Sequence, residues 1–239
     1  LSEYPEDMED LCVVLPNRRA GIFLRHHLAL LSPRVSWSPR ICSMSEFVED
    51  LSRLKNVNQT EMLFILHSLY LELTGKKDSL DDFYFWGEMI LGDFDELDKY
   101  LVDADALFTN LSDLKELEDV TAGLEPEQVS FIRQFWSNFF EGEASREKSK
   151  FRETWMLLPK LYHMLRERLR DREEGYQGMQ YREIAEEIQS GNMDPRGRDR
   201  VIVAGFNALN ACEKEIFKWL LRHGASFFWD YDESYLADK

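Results

Sequence analysis

The chain has 239 residues, 44% hydrophobic and 13% aromatic; this excludes a disordered polypeptide and suffices for one large or two small domains. Lysine and arginine total 29 against 45 aspartate and glutamate, a formal net charge of -16. Such a surface repels phosphate backbones on average, so any nucleic-acid contact has to be a local basic spot or be supplied by another domain or partner.

Residues 1–10 are polar and acidic, a lead-in with no signal-peptide pattern. The chain opens at Leu1 rather than Met and stops in a polar tail, as expected of a piece of something longer. Leu11 to Leu15 is an apolar run of strand type, ended by Pro16 and Asn17. A helix pattern follows, with Ile22, Phe23, Leu24, Leu28 and Leu31 apolar and Arg18, Arg19 and Arg25 polar. Arg40 to Cys42 is a short strand, and Ser43 with Glu46 forms a capping box for a helix carrying Phe47, Val48, Leu51 and Leu54. From about residue 55 to 190 strand signals vanish and amphipathic helices succeed one another. Asn58 and Glu61 open one that Gly75 closes. Phe83, Trp86, Met89, Ile90, Phe94, Leu97 and Leu101 trace the next, and Leu107 to Leu117 continue the pattern. Pro126 suits a first helical turn, 141–150 is a charged connection, and Trp155 to Leu169 and Met179 to Ile188 are further helices. A turn-rich basic loop from Gly191 to Arg200 precedes the resumption of strands.

The closing stretch organises the rest. Val201 to Ala204 is a continuous apolar run, the mark of a strand buried on both faces, and Gly205 breaks it. Asn210 and Glu213 make a second capping box, Ile216, Phe217, Leu220 and Leu221 recur at helical spacing, and Ser226 to Trp229 start another strand. A strand–helix–strand unit predicts two parallel strands in one sheet. With strands at both ends and helices between, the expected architecture is an α/β core of residues 1–54 and 195–239 interrupted by a helical subdomain, 55–194.

Chemistry is sparse. No GxxxxGK[ST] phosphate loop occurs, and the strand at Val201 runs into Gly205, Phe206 and Asn207 rather than into magnesium-holding acids. The segment Pro16-Asn17-Arg18-Arg19-Ala20-Gly21 lies between a strand and a helix, where outward N–H groups and two guanidiniums favour a nucleic-acid phosphate; the alternative is surface arginines paired with nearby acids. The acidic run Asp93, Asp95, Glu96 and Asp98 lacks EF-hand spacing and reads as a solvated helix face rather than a metal site. Asp113-Leu114-Lys115 matches a nuclease triplet but lies in a helical pattern. The five histidines show no hydrolase spacing, and Trp86, Trp136, Trp155 and Trp219 fall on apolar helix faces. Phe227, Phe228, Trp229 and Tyr231 offer a stacking platform for bases, opposed by the acids Asp230, Asp232 and Glu233. Three cysteines, Cys12, Cys42 and Cys212, form no CxxC pair and read as buried reduced thiols in a cytoplasmic protein. No apolar run approaches the roughly 20 residues of a membrane span.

Four stretches together, LCVVLPNRRAGIFLRHHLA, FYFWGEMILGDFDELDKYLVDADALFTNLSDLKELE, YQGMQYREIAEEI, and VIVAGFNALNACEKEIF with FFWDYD, resemble the N-terminal region of AddB-like proteins of the Bacteroidetes type. These are inactivated superfamily I helicases joined to a C-terminal PD-(D/E)xK nuclease. The resemblance implies a degenerate RecA-like, P-loop NTPase-like parallel sheet with a large inserted α-helical subdomain. It implies a DNA-approaching loop at Asn17, Arg18 and Arg19, and a decayed Walker B strand at Gly205, Phe206 and Asn207. It also implies an AddA-like helicase–nuclease partner subunit, DNA bound through the full complex, and a parent protein that is an ATP-dependent exodeoxyribonuclease subunit of double-strand-break repair. No catalytic residue, metal or cofactor is expected in this segment, with ATP and Mg in the partner or the parent protein. Two other readings stay open: an ATP-binding helicase domain whose phosphate loop lies outside this sequence, and an acidic protein-interaction module without a DNA role.

Overall fold

The computed structural model describes residues 8, 10–31, 37–109, 157–194 and 200–230. The expected elements around Leu111–Leu117 and Pro126, the 141–150 connection, Trp136, Trp155, the Asp113–Lys115 triplet and Tyr231 lie outside them. In chain order the elements are β1 (Cys12–Leu15), α1 (Arg18–Leu31), β2 (Arg40–Ser43), α2 (Met44–Leu51), β3 (Lys55–Asn56), α3 (Gln59–Thr74) and α4 (Leu80–Lys99). There follow α5 (Ala104–Thr109), α6 (Leu158–Arg170), β4 (Glu174–Gly175), α7 (Gln177–Gln189), β5 (Val201–Phe206), α8 (Ala211–Arg222) and β6 (Ser226–Trp229). The protein is a mixed α/β chain that divides into two compact units, Leu1–Ser52 with Glu183–Lys239, and Arg53–Arg182. The second division falls inside α7.

The first unit is built on a sheet of order β2-β1-β5-β6 in which every pairing is parallel. The central pair sets Cys12 against Val201 and Val14 against Val203. Parallel neighbours need crossover connections, and α1 and α8 supply them for β1–β2 and β5–β6. Leu11, Val13, Leu15 and Ile41 form a buried cluster against which Ala20, Leu24, Leu28, Ile202 and Ala204 pack. Next to α8, Phe206 meets Phe217 edge-on at 5.0 Å.

α1 departs from its sequence pattern. Leu24 and Leu28 face the sheet, but Ile22, Phe23 and Leu31 do not; all three are exposed. Strands of four residues cover only a narrow stripe of a 14-residue helix. Gly21 fixes which stripe, since a Cβ there would lie 3.2 Å from Ile41 Cγ2.

The second unit is helical, with one feature that periodicity did not announce. β3 and β4 pair in parallel, Lys55 with Glu174 and Asn56 with Gly175, and ladders of two residues leave no alternation to read. α3 is capped by Asn58, whose side chain accepts from the Glu61 amide, and by the left-handed Gly75. Leu66, Leu69, Ile90, Phe94, Leu97, Leu161 and Leu165 lie in its core.

The acidic run on α4 is not the solvated face expected. Asp98 is entirely buried. Its Oδ1 accepts from the Tyr162 hydroxyl at 2.5 Å and pairs with Arg166 and with Arg182 Nε, the latter at 2.6 Å. Its Oδ2 accepts from the Tyr176 hydroxyl at 2.5 Å. Burial and the Asp98 carboxylate push both tyrosines well above the ordinary phenol range. Arg182 also donates to the carbonyls of Leu97 (3.0 Å) and Val102 (2.7 Å), so a cation neutralises the end of α4 where Leu101 takes a positive φ of 55°. A buried carboxylate is tolerable here because two cations and two hydroxyls replace its water.

Candidate functional site

In a parallel sheet all strands end on one edge. β1 leads through α1 toward β2, while β5 leads through α8 toward β6 in the opposite direction. The order of strands therefore reverses between β1 and β5, and open α/β sheets bind their ligands outside the carboxyl ends at such a point. Of the two stretches singled out in the sequence, Asn17 to Arg19 follow β1, whereas β5 continues through Gly205, which does not break it, to Phe206, and Asn207 follows. A Cβ built on Gly205 would lie 3.7 Å from Pro16 Cδ.

On the β1 side, Asn17 is committed to the backbone. Its Oδ1 accepts from the Ala20 amide at 3.0 Å and so caps α1. Arg18 is exposed, yet its Nε donates to Glu46 Oε1 at 2.8 Å. Glu46 is in turn held by Ser43, whose amide and hydroxyl both donate to Oε2 at 2.8 Å. These bonds from Ser43, with Arg18 adding to them, keep the Glu46 carboxyl below the usual carboxylate range. Arg19 is exposed and makes no ion pair within the described residues. Arg18 is thus paired with a nearby acid, whereas Arg19 has no such partner among the described residues.

On the β5 side, Gly205 adopts a φ of +79° in a bulge where the ladder to β6 shifts register between Ala204 and Phe206. The bulge turns Gly205 outward and returns Phe206 to the core, where it is buried. The Phe206 carbonyl accepts from the Asp230 amide at 3.1 Å, so Phe206 is a packing residue at this edge. Asn207 is exposed. Asn210 caps α8 reciprocally with Glu213, at 2.8 Å and 3.0 Å.

Three helices of this unit begin at the edge. α2 carries Glu46 in its first turn and α8 carries Glu213, whereas α1 carries no acid and two arginines. A helix start favours anions through its unpaired N–H groups and dipole, and a carboxylate already there cancels that. Of the three, the start of α1 is the one disposed toward an external anion.

The remaining candidates are dispersed. Phe227 and Trp229 stack at 5.7 Å, with Phe228 and Trp229 partly exposed on the edge strand β6. Cys42 and Cys212 are buried and Cys12 half-buried, with Cys12 Sγ 3.8 Å from Cys42 Sγ, and none of the three is in a disulfide among the described residues. Among the described residues no group of three or more His, Cys, Asp or Glu is placed to hold a metal ion, and no helix is long and apolar enough to cross a membrane.

Fold and edge together define a mixed α/β domain with a parallel sheet whose switch point is lined by amide, apolar and arginine side chains. Compared with known proteins, the chain matches no family model and no curated protein.

Proposed function

We propose that this chain is a non-catalytic helicase-like scaffold and DNA-guiding domain of a bacterial helicase–nuclease acting in double-strand-break repair and recombination. In this reading it is an AddB-like protein, its parallel sheet is a degenerate RecA-like core, and an AddA-like subunit supplies ATP and Mg chemistry. One observation carries the reading. At the switch point the acid-free start of α1, with Arg18 and Arg19, stands beside a β5 terminus made of Gly205, Phe206 and Asn207. A working NTPase places carboxylates at that terminus to hold magnesium. The four stretches that resemble the AddB-like family include both strand ends, which supports the same reading.

Physically, such a domain keeps a sheet edge able to steer one or two phosphates, while the rest of its acidic surface prevents indiscriminate DNA binding. The test is a DNA-binding titration against salt on the intact helicase–nuclease, comparing the parent with the Arg18→Glu, Arg19→Glu double variant. The double variant should bind more weakly and lose about two units of salt slope. Unchanged affinity and slope would remove the phosphate role. Calorimetry with ATP addresses the other half, since micromolar binding with magnesium-dependent turnover by this domain would overturn the non-catalytic assignment.

A further inference from the structure

The outward side of α1 is built like a face that another helix covers. At 100° per residue, the half-buried or buried positions Ala20, Gly21, Leu24 and Leu28 centre on the sheet side. Diametrically opposite runs a ridge of Ile22, His26 and Leu30, flanked by Arg19 and Phe23. Ile22 is 64% exposed, Phe23 59% and Leu30 70%. Spacings of three and four residues make this a continuous stripe of the kind that fits grooves between the side chains of a second helix.

Charge selects the occupant. The helix RRAGIFLRHHLALL contains three arginines, two histidines and no acid, in a chain of net charge -16. Within the helix, Arg18 is spent on Glu46, and Arg25 donates to the Ile41 carbonyl at 2.8 Å. Arg19 remains beside the apolar ridge without an ion-pair partner among the described residues. A second copy of this face would bring another acid-free helix and offer Arg19 no carboxylate. An anionic bilayer would meet a strongly acidic protein, and a DNA duplex offers nothing for Ile22, Phe23 and Leu30. We infer that the outward face of α1 is a docking surface for an acidic amphipathic helix of a partner protein, with apolar residues on the Ile22–Leu30 ridge and a carboxylate opposite Arg19. This surface shares Arg19 with the DNA reading of the sheet edge, but it rests on the Ile22–Leu30 ridge and does not require DNA contact.

The test uses the full chain, without DNA, and two fluorescein-labelled helical peptides. Both carry leucines at i, i+3, i+4 and i+7; one is flanked by glutamates and the other by lysines. Fluorescence anisotropy should show binding of the glutamate peptide that weakens with salt and falls about tenfold in Ile22→Ser or Leu30→Ser. Both positions are exposed, and circular dichroism verifies that each variant retains the parent's fold. Arg19→Glu should transfer preference to the lysine peptide. Binding of neither peptide, or equal binding of both that Arg19→Glu leaves unaltered, overturns the proposal. So does self-association in sedimentation velocity that Ile22→Ser abolishes, which would make a second copy the occupant. Flotation with phosphatidylglycerol vesicles that Leu30→Ser abolishes would overturn it in favour of a membrane.

Discussion

Replacing Asp98 is the most demanding test of how the helical unit is held together. Asp98→Ala leaves Arg166 and Arg182 facing each other with only 10% and 12% of their side chains exposed, and deprives the Tyr162 and Tyr176 hydroxyls of their acceptor. Removing one member of a buried ion pair costs about 3–5 kcal/mol, and each stranded hydroxyl adds about 1–3 kcal/mol where water cannot reach it. These terms overlap, so a loss on the order of 5 kcal/mol is expected. For a unit spanning Arg53–Arg182, at about 3 °C per kcal/mol, the calorimetric transition should fall by about 15 °C. Asp98→Asn keeps one acceptor oxygen and should fall less. A cycle of Asp98→Ala with Arg166→Met should give a coupling energy of about 1–3 kcal/mol. A transition within about 2 °C of the parent, or strictly additive single effects, would refute the view that one carboxylate organises this core.

The other expectations are narrower. Gly178→Ala should destabilise the same unit by at least about 2 kcal/mol in urea titration, because its Cβ would lie 2.3 Å from the Asp95 carbonyl oxygen, a backbone atom that cannot step aside. Asp93 is pushed up to about 7, first by burial and then by Glu96, and its Oδ2 has no hydrogen-bond partner among the described residues. A raised folded-state value makes the native state the better proton binder between the ordinary carboxylate range and pH 7, so stability is lost as pH rises through that window. Asp93→Asn should therefore be on the order of 2 kcal/mol more stable than the parent at pH 8 and gain little at pH 4, as read from parallel urea melts. Asn210→Ala removes the acceptor for the Glu213 amide and should cost about 1 kcal/mol, measured as a shift in the urea midpoint. Glu46→Gln preserves a capping side chain on α2 but frees Arg18; DNA affinity of the intact complex should rise at low salt if the α1 start contacts phosphate.

The sequence was most legible where local chemistry fixes the backbone. Ser43 with Glu46 and Asn210 with Glu213 announce two helix starts, and both boxes close as the spacing requires. The apolar run at Val201 and the helix after Asn210 foretell a parallel strand pair, and β5 and β6 form it. What was lost depends on tertiary context. α1 carries apolar residues almost all round, so its pattern could not say which ones the short strands would cover. Asp98 carries a charge that masks its phase on the helix. It follows Phe94 by four residues and Ile90 by eight, which puts it on the buried stripe of α4. Arg166, four residues after Tyr162 on a leucine-rich face, carried a matching hint. At the sheet edge, the reversal of strand order that makes neighbours of Pro16 and Gly205 is a property of topology, which no single stretch contains.

The pairing of β1 with β5 has a consequence for how the molecule is made. One central strand ends at Leu15 and its neighbour begins at Val201, with the whole helical unit translated in the interval. As the nascent chain leaves the ribosome, β1 and β2 can associate early, yet one flank of β1 stays without hydrogen-bonding company until Val201–Val203 emerge. Closing so long a loop is slow, and an unfilled slot invites strands from neighbouring chains. Biogenesis of this protein should therefore be limited by completion of its sheet, with chaperone dependence concentrated in the period before β5 arrives.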